Sequence, residues 1–249
     1  MNTNTNQKTK KNWAETFFNK MYLELFMKRS PAEIAIEVQI IKQLIDENKI
    51  TRLLDVCCGI GDIARSLENE LDAIATGIEL SSYYVTQSHI KDIIKGDACE
   101  PQTNRTFPLV LNWFSSFSYF EPEKNKKLLT NCYNYCEDVF LLEFYNPYAV
   151  MLNFKEQIQY KKEYLGKNYF IDRNSHINVN NRTLCQEWIF NTNNQQQIYN
   201  TDSYLYFPDE VKHLLLTIGF NNVQIMGRNE NKITSFNVNS PRIIIKATK

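Results

Sequence analysis

Arg52-Leu-Leu-Asp-Val-Cys-Cys-Gly-Ile-Gly-Asp-Ile-Ala-Arg65 decides the fold. Its first half is an apolar run holding one acid, Asp55, and reads as a buried strand ending near Cys57. Gly59 and Gly61 then form a Gly-x-Gly turn, and a helix opens directly after it. Strand, glycine turn and helix N-terminus together present backbone N–H groups to a polar ligand. The turn also satisfies G-x-G-x-x-A through Ala64, the dinucleotide fingerprint. Asp55 inside the strand, and Cys57-Cys58 between strand and first glycine, argue against a dinucleotide. A carboxylate there repels a pyrophosphate and supports an ammonium group. No G-K-[ST] follows, which excludes a P-loop.

Downstream, strands and helices alternate. Ala73–Ile78 reads as a strand ending at Glu79, and Ser81 as the cap of a helix reaching about Ser88. Ile90–Lys95 is a third strand, followed by Gly96-Asp97-Ala98. Phe107–Trp113 is a fourth, Pro122–Cys136 a helix and Val139–Tyr145 a fifth strand. The short Asp97–Phe107 connection leaves little room for a covering helix. Pro208–Ile218 reads as a late helix closed by Gly219, with final strands at Val223–Gly227 and Arg242–Ala247. Arg228–Asn239 between them reads as a hairpin loop. The expectation is an α/β, Rossmann-like, doubly wound sheet of seven strands.

Two helices precede that sheet: an amphipathic one over Trp13–Met27, and one from Pro31 to about Asn48. They define a helical cap at 13–48, after a polar tail at 1–12 read as disordered. The main domain runs over 49–249. Within it, 151–206 changes character, with polar and apolar residues alternating between Asn-rich turns. It reads as an antiparallel β insertion, serving as a lid, a substrate element or a homodimer surface.

Composition narrows the function. The chain has 249 residues, 28 Lys plus Arg against 28 Asp plus Glu, and 43% hydrophobic residues. Zero formal net charge gives no global field for nucleic acid or an anionic membrane. No apolar run reaches about 18 residues, so no membrane span is expected. The Lys/Asn-rich N-terminus lacks the apolar core of a signal peptide. Six cysteines without C-x-x-C spacing suit reduced thiols in a cytoplasmic protein, with no metal cluster.

Asp55, Glu79 and Asp97 end or nearly end three consecutive strands, where ligands of parallel sheets bind. An acid like Glu79 accepts both hydroxyls of a ribose, and one like Asp97 meets the exocyclic amine of adenine. Together they favour a cationic cofactor over a diphosphate. The fourth strand exits into Asn112-Trp-Phe-Ser-Ser-Phe-Ser-Tyr-Phe120, an aromatic, hydroxyl-rich wall for a small-molecule pocket.

Leu53-Leu-Asp-Val-Cys-Cys-Gly-Ile-Gly, Gly77-Ile-Glu-Leu-Ser, Gly96-Asp97-Ala and the Leu111–Phe120 loop occur in the order seen in class I S-adenosylmethionine-dependent methyltransferases. The chain resembles the small-molecule members, whose fourth-strand loop reads like S-F-G-Y-F. Asn239-Ser-Pro-Arg242 and the Trp13…Tyr22…Phe26 opening are similar too. Only the insertion is unfamiliar. Ser118 stands where the loop often has Gly, and Asp62 where many members have a third Gly.

The resemblance implies S-adenosylmethionine as cofactor and S-adenosylhomocysteine as its product. It implies cofactor contacts from Asp55, Cys57, Gly59 and Gly61, from Glu79 and Leu80, and from Asp97, Ala98 and Asn112. Candidate substrate contacts are Trp113, Phe114, Ser115 and Phe117, with Glu143 and Trp188. Candidate catalytic residues are Tyr22, Tyr119 and His176. The expected activity is methyl transfer to an amine or hydroxyl of a small molecule, in natural-product or sugar metabolism. Nitrogen is slightly favoured, because the loop holds no His or acid to act as a base. Alternatives are a non-methylating S-adenosylmethionine-binding protein, an S-adenosylmethionine-dependent cyclase and, behind them, an NAD-dependent oxidoreductase.

Overall fold

The computed structural model describes residues 13–192 and 195–249; the expected tail at 1–12 lies outside the described residues. The single helix read over Trp13–Met27 is three pieces: α1 (Trp13–Phe17), α2 (Lys20–Tyr22) and a π-helical turn over Leu23–Met27. Asn19 breaks it. Its backbone is extended, and its side-chain oxygen accepts the Tyr22 N–H, an alternative to the helical bond. α3 (Pro31–Lys42) starts at a capping box in which Ser30 and Glu33 satisfy each other's backbone N–H groups. It stops at Lys42, short of the expected Asn48, and a 3-10 turn covers Glu47–Lys49.

Then come β1 (Arg52–Val56), α4 (Asp62–Leu71), β2 (Ile74–Glu79), α5 (Ser82–Thr86), β3 (Asp92–Lys95) and β4 (Phe107–Asn112). α6 (Pro122–Tyr135), β5 (Cys136–Tyr145) and α7 (Pro147–Leu152) follow. Ser81 caps α5 as expected, accepting the Tyr84 N–H. The connection from β3 to β4 carries no helix. The insertion is a separate antiparallel sheet of β6 (Gln157–Tyr164), β7 (Lys167–Asn178), β8 (Thr183–Asn191) and β9 (Gln196–Tyr204). α8 (Pro208–Ile218), β10 (Asn222–Asn229), β11 (Lys232–Ser235) and β12 (Arg242–Thr248) complete the chain.

The main sheet has the order β11-β10-β12-β5-β4-β1-β2-β3. β3, β2, β1, β4 and β5 are parallel, while β12, β10 and β11 join antiparallel. Eight strands replace the expected seven, because part of the Arg228–Asn239 loop pairs as β11, with Arg228 opposite Ile233. An edge strand needs only one partner, and Lys-Ile-Thr-Ser carries too little apolar pattern to announce it. Neighbouring strand residues go to opposite cores. Leu54, Val110 and Ile245 pack under α6 and α8, while Leu53, Leu109, Leu111 and Ile244 pack under α3 and α4.

Gly77 on β2 has no room for a side chain. An added Cβ would lie 2.6 Å from Cys58 Sγ and 2.7 Å from Ile90 Cδ1. Gly77→Ala is therefore expected to cost about 1–3 kcal/mol through overpacking, read as a shifted urea midpoint at unchanged slope. An unshifted midpoint would show that the turn yields freely.

Candidate active site

The carboxyl ends of β1, β2 and β3 open onto one cleft of about 240 Å³. The chain leaves β1 with Cys57 in the left-handed region at φ 63°, then Gly59 and Gly61 at 62° and 80°. The turn is closed by Gly61 N–H donating to Cys58 O (3.0 Å) and docked by Cys58 N–H donating to Ile78 O (3.1 Å). It delivers the first turn of α4 to the cleft.

Glu79 fastens this turn to β2. One carboxylate oxygen accepts the Gly59 N–H at 2.9 Å and the other the Ser81 N–H at 2.7 Å. Burial raises its pKa, and these N–H donors pull the other way. Asp97 is held by the Cys99 N–H at 2.9 Å and borders the cleft with Leu80 and Ala98. Asp55 differs from both. It is 4% exposed, lines the cleft, and has no side-chain hydrogen bond among the described residues. Burial first, and the charge of Glu79 second, push its pKa up to about 7 against the pull of Arg29.

Arg29 is a cleft residue that the sequence does not announce. Its guanidinium lies 3.6 Å over the Phe114 ring, and it lines the same cleft as the three acids. It precedes the Ser30 cap, and no local motif marks it. The cleft thus sets two arginines, Arg29 and the Glu143-paired Arg242, against acids of three strands, with Trp113 and Phe114 as its floor.

No family model matches the chain, and no curated protein matches it by sequence. Solved structures do match. The chain superposes on an S-adenosylmethionine-dependent methyltransferase from Clostridium acetobutylicum with a TM-score of 0.74, 14% identity, and coverage of 92% of this chain and 96% of that one. An amino pentose methyltransferase from Micromonospora echinaspora gives 0.66 at 15% identity, covering 89% and 92%. A sugar N-methyltransferase from Streptoalloteichus gives 0.67 at 14%, covering 90% and 89%. The fold is that of the S-adenosylmethionine-dependent methyltransferases.

Within this methyltransferase fold, Asp55, Cys57, Gly59, Glu79, Leu80, Asp97 and Ala98 come together around the cleft. Gly61 stands behind them and shapes the turn. Asn112, expected at the cofactor, is fully buried, and both ends of its amide are used. Its Nδ2 donates to Val56 O (2.8 Å), and its Oδ1 accepts the Phe117 N–H (3.0 Å). It clamps the end of β1 to the loop after β4 rather than bordering the cleft.

Of the expected substrate residues, Trp113 and Phe114 line the cleft, and Ser115, Phe117 and Glu143 do not. Phe114 and Ser115 both take left-handed backbone, which turns the loop back so that Ser115 N–H reaches Glu143 O. Phe117 packs on Phe144 and Tyr206. Glu143 is fully buried and binds Arg242 at 2.8 Å and Arg228 at 3.5 Å. Burial pushes its pKa up while both arginines pull it down.

A second chamber, of about 450 Å³, lies between the insertion sheet, the helical cap and the β4 loop. Trp188 lines this one, not the first. Tyr22 and Tyr119 border both, and with Phe18, Phe26 and Tyr145 they form the shared aromatic wall. His176 is exposed and lines neither. On β7, Arg173 and Ser175 face the chamber, so the period of two turns His176 to the outer face.

Proposed function

We propose that this chain transfers a methyl group from S-adenosylmethionine to an amine or hydroxyl of a small molecule, with nitrogen favoured. The observation that carries the reading is a cleft bounded by acids of three successive strand ends and by Arg29 and Arg242, sharing an aromatic wall with a second chamber. The donor set fits the group. Arg29 suits its α-carboxylate, Asp55 its ammonium, Glu79 its ribose hydroxyls and Asp97 its adenine amine. When bound, the sulfonium supplies a methyl group already activated for transfer. The protein's own work is then to position the acceptor and exclude water.

The wall residues do that work. Burial raises the phenols of Tyr22 and Tyr119, so both stay protonated at neutral pH and act as hydrogen-bonding groups, not bases. His176 faces away. An amine that arrives neutral needs no base, whereas a hydroxyl does. The sugar N-methyltransferase among the structural neighbours supports the same choice.

Calorimetric titration with S-adenosylmethionine, followed by mass analysis over amines and hydroxyl compounds, tests the reading. Binding and a product heavier by one methyl group are expected. No binding at about 100 µM ligand would overturn it.

Asp55 gives this binding a pH dependence. Free Asp55 takes a proton below about pH 7, and a bound ammonium favours its ionised form. Affinity is therefore expected to rise with pH up to about 7 and flatten above it, and Asp55→Asn to remove most of that rise. The same shift acts on stability with the opposite sense. The folded state holds a proton that the unfolded carboxyl releases near pH 4, so this group's contribution falls between about pH 4 and 7.

A further inference from the structure

The second chamber carries positive charge that is left unpaired among the described residues. Arg173 lines it from β7, and Lys155, just before β6, stands exposed at its edge. Neither side chain forms an ion pair or hydrogen bond among the described residues, and no Asp or Glu lines the chamber. Among the described residues, Arg173 Nε is buried without a partner, and so is Nε1 of Trp188. The guanidinium stands 5.3 Å from the Trp188 ring centre and 5.8 Å from that of Tyr160, contacts that orient the cation without neutralising it. Arg228 and Arg242, also deep in the chain, are each held by carboxylates. Only donors are left over here, and a buried donor without an acceptor is costly.

We propose that the methyl acceptor is a small, ring-bearing oxyanion, a carboxylate or a phosphate ester, whose charged end is bound by Arg173 with Lys155 at the edge. The proposal rests on the methyltransferase reading for the word acceptor, while the anion site itself stands on the chamber. Arg173 and the aromatic wall shared with the cofactor cleft border one chamber, so an anion held at Arg173 turns its far end towards Tyr22 and Tyr119. Arginine suits this seat, because its planar fork grips either group in two-point fashion.

The test is calorimetric titration of the full chain with benzoate, phenyl phosphate and neutral benzamide. At least one anion is expected to bind about tenfold or more tighter than benzamide, and the stronger of the two names the group. Arg173→Gln is expected to abolish that preference, Arg173→Lys to keep part of it, and Lys155→Gln, at an exposed position, to weaken it a few-fold. Benzamide binding as well as the anions, or a preference surviving in Arg173→Gln, overturns the proposal. S-adenosylmethionine titrated in parallel separates the two readings. Cofactor binding without any anion preference sinks the anion site alone. Anion binding without cofactor binding sinks methyl transfer and leaves the site standing.

Discussion

Glu79→Ala is expected to weaken S-adenosylmethionine binding by about 100-fold or more while the protein remains folded. On the proposed function the carboxylate has two tasks. It suits the ribose hydroxyls, and it holds the Gly59 and Ser81 N–H groups that shape the cleft. Hydrogen bonds to a charged group contribute about 1.5–3 kcal/mol each, and losing two spans the factor of 100. Glu79→Gln separates the tasks. An amide has one oxygen to accept with, so either Gly59 or Ser81 loses its partner and one hydroxyl bond weakens. An intermediate loss, roughly tenfold, is expected. Calorimetry gives the affinities, and thermal unfolding of the free variants gives the cost of the released N–H groups. Affinity within threefold of the parent in Glu79→Ala would remove Glu79 from the cofactor site.

The acids at the strand ends were legible because parallel strands buried on both faces write themselves as apolar runs, and the run's end locates the ligand edge. Asp55, Glu79 and Asp97 accordingly border one cleft. What lies beyond the strand ends was not legible. Asn112 has the right place in sequence, yet the β4 loop folds back through Phe114 and Ser115, and its amide is consumed by Val56 and Phe117. Glu143 is one position in an apolar strand, and nothing local says that Arg228 and Arg242 will arrive to cover it. The insertion shows the same limit. Alternation announces antiparallel strands, but the register that sets Arg173 opposite Trp188 depends on turn length. A shift of one residue would have carried His176 inward instead. Arg29 lay out of reach for a simpler reason: its meaning comes from Phe114, far along the chain.

Arg228→Met is expected to be the most destabilising single change among the buried ion pairs, costing about 3–5 kcal/mol. Arg228 is 7% exposed and grips both oxygens of Glu37, at 2.5 and 2.7 Å, with Glu143 at 3.5 Å. Its removal leaves two buried carboxylates with Arg242 as the remaining arginine of the cluster, and breaking a buried pair is far costlier than never having one. In a chain of this size such a loss lowers Tm by on the order of 10 °C. The sign of its pH dependence follows from Glu143, whose carboxyl burial already pushes up. Without Arg228 it takes a proton more readily, so the gap to the parent is expected to narrow as pH falls towards 5. The effect reaches the cleft, because Glu37 also accepts the Trp113 indole N–H (2.8 Å) and Glu143 the Phe114 N–H (3.1 Å). Those two rings are the cleft floor, so cofactor affinity is expected to drop several-fold with stability. Arg228→Met combined with Glu37→Gln decides the cause. The amide of Glu37→Gln keeps an acceptor for Trp113 while removing the stranded charge, so the double variant is expected to recover much of the loss. A double variant no more stable than the single one would mean that Arg228 acts through packing, not through its charge.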